Sequence, residues 1–222
     1  MALLQGAGAG VGIVYSRTSS VYSSQHLAAV REVYKALTMN GIPVHFVTES
    51  TLSRRQVSDG VKMMIAPGVT HLPSACLRGL RELTREVRLV VAGADPLASD
   101  ERDQAHAAGE RTAVLRRATV LPAEGPAGIG AAVLDLARRS RLDAVTLERT
   151  AGGTPTTVEW RPVHDGRRWL VGATNYGTHA EVVTIRLHGR RPLELHDLLT
   201  GERLDRSRTE LAPLTPRLLT LR

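Results

Sequence analysis

Over the first ~140 residues, short apolar runs rich in β-branched residues alternate with stretches of helical period, the pattern of a parallel sheet covered on both faces. Val11-Gly12-Ile13-Val14-Tyr15 reads as a first buried strand, and the polar stretch Ser16 to Ser24 reads as a loop. Leu27, Val30, Val33, Tyr34 and Leu37 then recur at helical spacing, and Asn40-Gly41 stops that helix before Pro43. Val44 to Thr48 predicts a second strand. A short helix over Thr51 to Asp59, capped by Ser50 or Thr51, leads to a third strand, Val61 to Ala66. Pro73 opens a helix with Cys76, Leu77, Leu80 and Leu83 on one face, and Arg88 to Ala92 is the fourth strand.

Residues 95 to 111 are polar and read as a long loop at the carboxyl side of that strand, the edge where open α/β sheets carry ligands or partners. Val114 to Leu121 predicts a further strand, and Pro126 to Arg139 a closing helix whose Arg138 and Arg139 complement its C-terminal dipole. After residue 142 the period changes. Strands are expected at Leu142 to Arg149, Thr157 to Val163, Arg168 to Thr174, Glu181 to Leu187, Pro192 to Leu195 and Arg217 to Leu221, with turn signals such as Gly152-Gly153, Asp165-Gly166 and His188-Gly189 between them. Strands with no intervening helix predict an antiparallel sandwich.

Composition narrows the function. A chain of 222 residues, 42% hydrophobic, is long enough for two modest cores. No apolar run reaches the ~20 residues of a membrane span, and Met1 to Gly10 has neither the basic start nor the cleavage site of a signal peptide, so a cytoplasmic protein is expected. The single cysteine, Cys76, allows neither an internal disulfide nor a zinc cluster. The net charge of +7 raises nucleic acid as a partner. Yet only Lys35 and Lys62 among 29 basic side chains are lysines, a bias that a GC-rich genome produces unaided. The basic excess lies in the second half and alternates with acids, as in Glu202-Arg203-Leu204-Asp205-Arg206, which describes a solvated mixed surface. Nucleic acid is therefore not an expected partner.

Three stretches carry a resemblance: Val11-Gly-Ile-Val-Tyr-Ser, Gly41-Ile-Pro-Val-His-Phe-Val-Thr-Glu and Met64-Ile-Ala-Pro-Gly-Val-Thr-His-Leu-Pro. They resemble the trimerisation domain of family 42 β-galactosidases, which has the flavodoxin-like fold of class I glutamine amidotransferases without their chemistry. The tail, with Asn175-Tyr, Asp197-Leu-Leu-Thr-Gly-Glu and Leu211-Ala-Pro-Leu, resembles the small β-sandwich that closes many glycoside hydrolases. The resemblance implies a flexible lead-in at 1–10, a flavodoxin-like α/β domain at 11–141 and a C-terminal β-sandwich at 142–222. It implies a homo-oligomer, trimeric in the family, with a glycan as a further partner. Family enzymes hold their catalytic acid and nucleophile on a (β/α)8 barrel, and no barrel is expected within this chain. No catalytic residue can be carried over, and no cofactor or metal is implied.

Other constellations are weighed against plainer readings. Gly6, Gly8 and Gly10 precede the first strand, whereas dinucleotide glycines follow it and open a helix. The loop Ser16-Arg17-Thr18-Ser19-Ser20 offers hydroxyls and Arg17 to an anion, but reads as a polar connection. Cys76 lies on an apolar helix face as a small hydrophobe. The turn Gly93-Ala94-Asp95, where an amidotransferase nucleophile would stand, holds neither Cys nor Ser. No histidine pair has ligand spacing, and Asp100 with Asp103 reads as a solvated pair. A rival reading, an enzyme of this fold with an unfamiliar site at the carboxyl edge, rests on Glu49, His71 and Asp95. His71 has the alternative task of hydrogen bonding within the Gly68 to Pro73 loop. A third reading, a carbohydrate-binding module, needs Trp160 or Trp169 exposed. Trp160 shares its strand face with Val158, which favours the core.

Overall fold

The computed structural model describes residues 10–57, 59–121 and 125–222, so all but Gly10 of the 1–10 lead-in lies outside the described residues. The chain divides into two compact units. Among the described residues, one takes in 10–36 and Val44–Ala137; the other takes in Leu37–Pro43 and Arg138–Arg222.

The first unit is built on five parallel strands: β1 (Val11–Tyr15), β2 (Val44–Thr48), β3 (Met63–Pro67), β4 (Arg88–Ala92) and β5 (Thr119–Leu121). Their order is β2-β1-β3-β4-β5, the doubly wound flavodoxin-like order. Register is set by pairs such as Ile13 with Phe46 and Ile65 with Val90. The central strands are buried on both faces. Val14, Val47, Met64, Ala66, Leu89 and Val91 pack into one cluster with Leu52, Leu77, Leu80 and Val114, while the alternate positions Val11, Ile13, Met63, Ile65 and Val90 are buried too. Such continuous apolar strands are what a parallel sheet covered by helices requires.

The connecting helices are α1 (Arg17–Tyr22), α2 (Ser24–Thr38), α3 (Glu49–Arg54), α4 (Ser74–Leu83), α5 (Ala108–Leu115) and α6 (Gly125–Arg139). Four local expectations need correction. Ser16 to Ser24 is not a loop: Ser16 accepts the Ser19 amide proton as an N-cap and starts α1. The short helix after β2 begins at Glu49 and is capped by Thr48, whose side chain accepts from the Thr51 amide. Val114 to Leu121 is not one strand, since Val114 closes α5 and only Thr119–Leu121 is extended. Residues 95 to 111 are not simply a loop, because α5 begins at Ala108 and Ser99 bridges both His71 and Ala105.

In the second unit, a four-stranded antiparallel sheet has the order β10-β12-β8-β7 and a three-stranded one the order β11-β9-β6. The strands are β6 (Val145–Arg149), β7 (Val158–His164), β8 (Trp169–Asn175), β9 (Glu181–Leu187), β10 (Leu195–Asp197), β11 (Thr209–Leu211) and β12 (Arg217–Leu221). β11 escapes the sequence pattern because it is only three residues long. The two sheets bury one shared core that includes Val145, Leu147, Val183 and Ile185 from one and Val158, Trp160, Val171 and Leu219 from the other. Asn175 ties the strand ends together: its Nδ2 donates to the carbonyls of His179 and Leu211, and its Oδ1 accepts from the Gly177 amide. Asp197, 1% exposed, accepts from Arg217 at 2.7 Å and from the Leu199 amide at 2.9 Å, which fixes the Asp197-Leu-Leu-Thr-Gly turn.

Candidate functional site

The carboxyl edge of the parallel sheet gathers the polar residues of the first unit, and Ser16 is their hub. Its hydroxyl lies 2.7 Å from Glu49 Oε1 and 3.0 Å from the His71 carbonyl. Glu49 Oε1 also accepts the Thr18 amide proton at 2.9 Å. Ser19, inside α1, donates its hydroxyl to the His71 carbonyl at 2.6 Å and accepts the amide protons of Thr70 and His71. The bonds join elements far apart in sequence, so α1, the start of α3 and the loop after β3 are held as one polar layer.

His26, fully buried, sits beneath this layer. Its Nδ1–H donates to the Pro67 carbonyl at 2.8 Å, and its Nε2 accepts the Ser16 amide proton at 3.0 Å, which fixes the neutral tautomer. Burial lowers its pKa; the Pro67 carbonyl and the Glu49 charge oppose that shift without cancelling it. The His71 ring bonds both within its own loop and outside it. Nδ1 lies 2.9 Å from Thr70 Oγ1, Nε2 lies 2.8 Å from Asp103 Oδ1, and the ring stacks on Tyr22 with centroids 4.1 Å apart. The hydroxyl, imidazole and carboxylate of Thr70, His71 and Asp103 thus stand in line, but the Asp103 side chain is 65% exposed. Water competes there for the carboxylate, and such a relay depends on a dry setting.

Ser16 thus links the Glu49 carboxylate to the His71 backbone carbonyl, whereas the His71 ring turns to Thr70 and Asp103, and Asp95 pairs with Arg111. Cys76 is buried among Leu77 and Leu80; its thiol donates to the Glu49 carbonyl at 3.2 Å, and burial raises its pKa to about 11. Ser16 and Ser19 are the residues that sequence reasoning undervalued. The Ser-x-x-Ser capping spacing was the available signal.

Beside the polar layer lies a cavity of about 310 Å³, lined by Ser23, Gln25, Gly68, Thr70, Gly93 and Ile129 among others. No ionisable side chain lines it among the described residues. Among the described residues, acid–base or nucleophilic chemistry has no charged partner in that space.

Of the two tryptophans in the sandwich, Trp160 is 2% exposed and donates its indole N–H to the Val145 carbonyl at 3.0 Å, so it has no ring face to offer a sugar. Trp169 is half-buried, with His164 and His188 packed edge-on against it at 5.2 and 5.6 Å between centroids. Among the described residues no group of three or more His, Cys, Asp or Glu is placed to hold a metal, and no helix is long and apolar enough to cross a membrane.

No family model matches the sequence, and no curated protein matches it. Solved structures do share its fold. An exo-carrageenase of GH42 from Bacteroides ovatus superposes with a TM-score of 0.75 at 16% identity, over 96% of this chain and 29% of that one. A catalytic mutant of a GH42 β-galactosidase from G. stearothermophilus gives 0.71 at 14% identity, over 97% and 40%. A β-galactosidase from Bacillus circulans sp. alkalophilus gives 0.68 at 12% identity, over 97% and 42%. The resemblance carried by the sequence motifs therefore holds as a shared fold along nearly the whole chain. The chain spans less than half the length of each of these proteins.

Proposed function

We propose that this chain is a non-catalytic accessory region of a glycoside hydrolase of the family 42 β-galactosidase kind. Its α/β unit serves self-association, and the parent's catalytic groups are carried elsewhere. One observation carries the reading: the fold match takes in 96% of this chain and only 29% of the GH42 exo-carrageenase, so the shared part is a fraction of that protein. The carboxyl edge fits an architectural part. Ser16, Ser19 and Glu49 have their polar groups engaged by one another and by the backbone of Thr18, Thr70 and His71, and the neighbouring cavity has no ionisable lining among the described residues. By the family resemblance the assembly is a trimer, in which this region sets the spacing of the catalytic barrels.

Light scattering on a sizing column is the direct test. A particle of three times the chain mass at micromolar concentration is expected, and a strict monomer overturns self-association. Hydrolysis of an aryl galactoside by the purified chain alone, abolished by one substitution at the carboxyl edge, would overturn the non-catalytic part.

A further inference from the structure

The cavity beside the polar layer has a lining whose chemistry the architectural reading leaves unused. It lies at the carboxyl ends of β3 and β4, next to the point where the strand order turns from β1 outward to β2 on one side and β3 on the other. Open α/β sheets take their ligands in the crevice at such a point. Here the crevice lies between the N-terminal ends of α2 and α6. The two helices meet further along, where a Cβ on Gly130 would lie 3.0 Å from the Glu32 carbonyl oxygen. The strand ends supply bare backbone. Gly68 and Gly93 have φ of +62° and +125°, and a Cβ on Gly93 would lie 3.3 Å from the Gly68 Cα.

The lining holds no charge among the described residues, yet it has both donors and acceptors unengaged. The amides of Gly93 and Ala94 and the side chain of Gln25 make no hydrogen bond among the described residues. Thr70 is left as an acceptor. The Asp103 carboxylate only accepts, so His71 Nε2 carries a proton and, in the neutral ring, Nδ1 accepts from Thr70 Oγ1–H. The Thr70 oxygen then keeps its lone pairs for a further partner. Pro126 and Ile129 add apolar wall. An ionic guest would lose water and find no countercharge there, and an apolar guest would leave these donors and acceptors dry and unpaired. A neutral hydroxylated ring escapes both costs, because each hydroxyl donates and accepts while its C–H surface lies on the apolar wall. At about 310 Å³ the cavity stands at the lower end of ligand sites, about 300–1,000 Å³, with room for one such ring.

We propose that this cavity binds a single neutral monosaccharide unit. Gly93, Ala94 and Gln25 donate to its hydroxyls, and Thr70 accepts from one of them. The neutral, hydroxylated class rests on the lining alone. The choice of galactose as a probe rests on the glycoside-hydrolase reading given above, whose own test, the oligomeric mass, is independent of this one.

Titration of the 222-residue chain with galactose, glucose, galacturonate and cyclohexanol, followed by amide NMR, is the test. At least one of the two neutral sugars is expected to bind with a Kd of about 1 mM, about ten-fold or more tighter than both galacturonate and cyclohexanol. The amide resonances of Gly93 and Ala94 are expected to be among those that move. Gln25→Ala, at an exposed side chain with no bond to lose, is expected to fold normally by circular dichroism and to weaken that binding about five-fold. Thr70→Val keeps the shape of the side chain, removes the acceptor, and is expected to weaken binding about ten-fold. No binding of either neutral sugar, galacturonate or cyclohexanol matching them, Gly93 and Ala94 resonances that stay in place, or two unaffected variants each overturns the proposal.

Discussion

Gly41 stands against Trp160 so closely that a Cβ on the glycine would lie 1.8 Å from the indole Nε1. The glycine also has a φ of +67°, in the left-handed region that costs an L side chain roughly 1–2 kcal/mol. The same Nε1–H donates to the Val145 carbonyl, so the ring cannot withdraw without leaving a buried donor and acceptor unpaired. Gly41→Ala is therefore expected to destabilise the chain by about 2–4 kcal/mol, the strain and the overpacking acting together. Urea unfolding followed by tryptophan fluorescence measures it, and a loss within about 0.5 kcal/mol would contradict the contact.

Glu49 is a structural acceptor within the polar layer. Glu49→Ala removes the acceptor of the Ser16 hydroxyl and the Thr18 amide, and about 1–3 kcal/mol of stability should go with it. Glu49→Gln keeps a carbonyl oxygen there and should lose no more than about 1 kcal/mol. Chemical denaturation of both variants separates this ordering from a catalytic role, in which the two would be equally inactive and neither need be unstable.

How much of this was legible beforehand depends on the range of the interactions involved. Val11 to Tyr15 and Arg88 to Ala92 match strands residue for residue, because runs buried within a sheet announce themselves locally. α1 did not, since its start is fixed by a Ser16 cap and its Ser19 faces a loop more than fifty positions away, not an apolar core. The Val114 to Leu121 run merged a helix end with a strand because apolar residues on both sides of the Arg116-Arg117 turn looked continuous. At the candidate site, His71 was legible as a loop residue, but its approach to Ser16 depends on the β1–β3 pairing and has no local signature.

His26 makes stability depend on pH. Its folded pKa lies below the unfolded 6.5, so the unfolded chain binds the proton more readily. The contribution is complete above pH 6.5 and declines as pH falls below that value toward the depressed folded pKa. His45, also lowered by burial, adds to the same trend. Protonation at Nε2 would set two N–H donors face to face and release Ser16 from the ring. Unfolding free energies should thus be lower at about pH 5.5 than at about pH 7.5. His26→Gln should flatten part of that slope. A titration of the native ring by NMR that gave a midpoint at or above 6.5 would refute the assignment.

Cys76 offers a probe of the first unit that needs no assay of activity. The thiol is 3% exposed, its pKa stands at about 11, and its hydrogen donates to the Glu49 carbonyl, so very little thiolate exists near neutral pH. An aromatic disulfide reagent at about pH 8 should leave the native chain unmodified over the time in which a denatured sample reacts to one equivalent. Glu49→Ala should shorten that time, because the α3 terminus that covers the sulfur loses its tie to Ser16. Protection that persists unchanged in that variant would show that the cover over Cys76 is set by its apolar neighbours Leu77 and Leu80 and not by the polar layer.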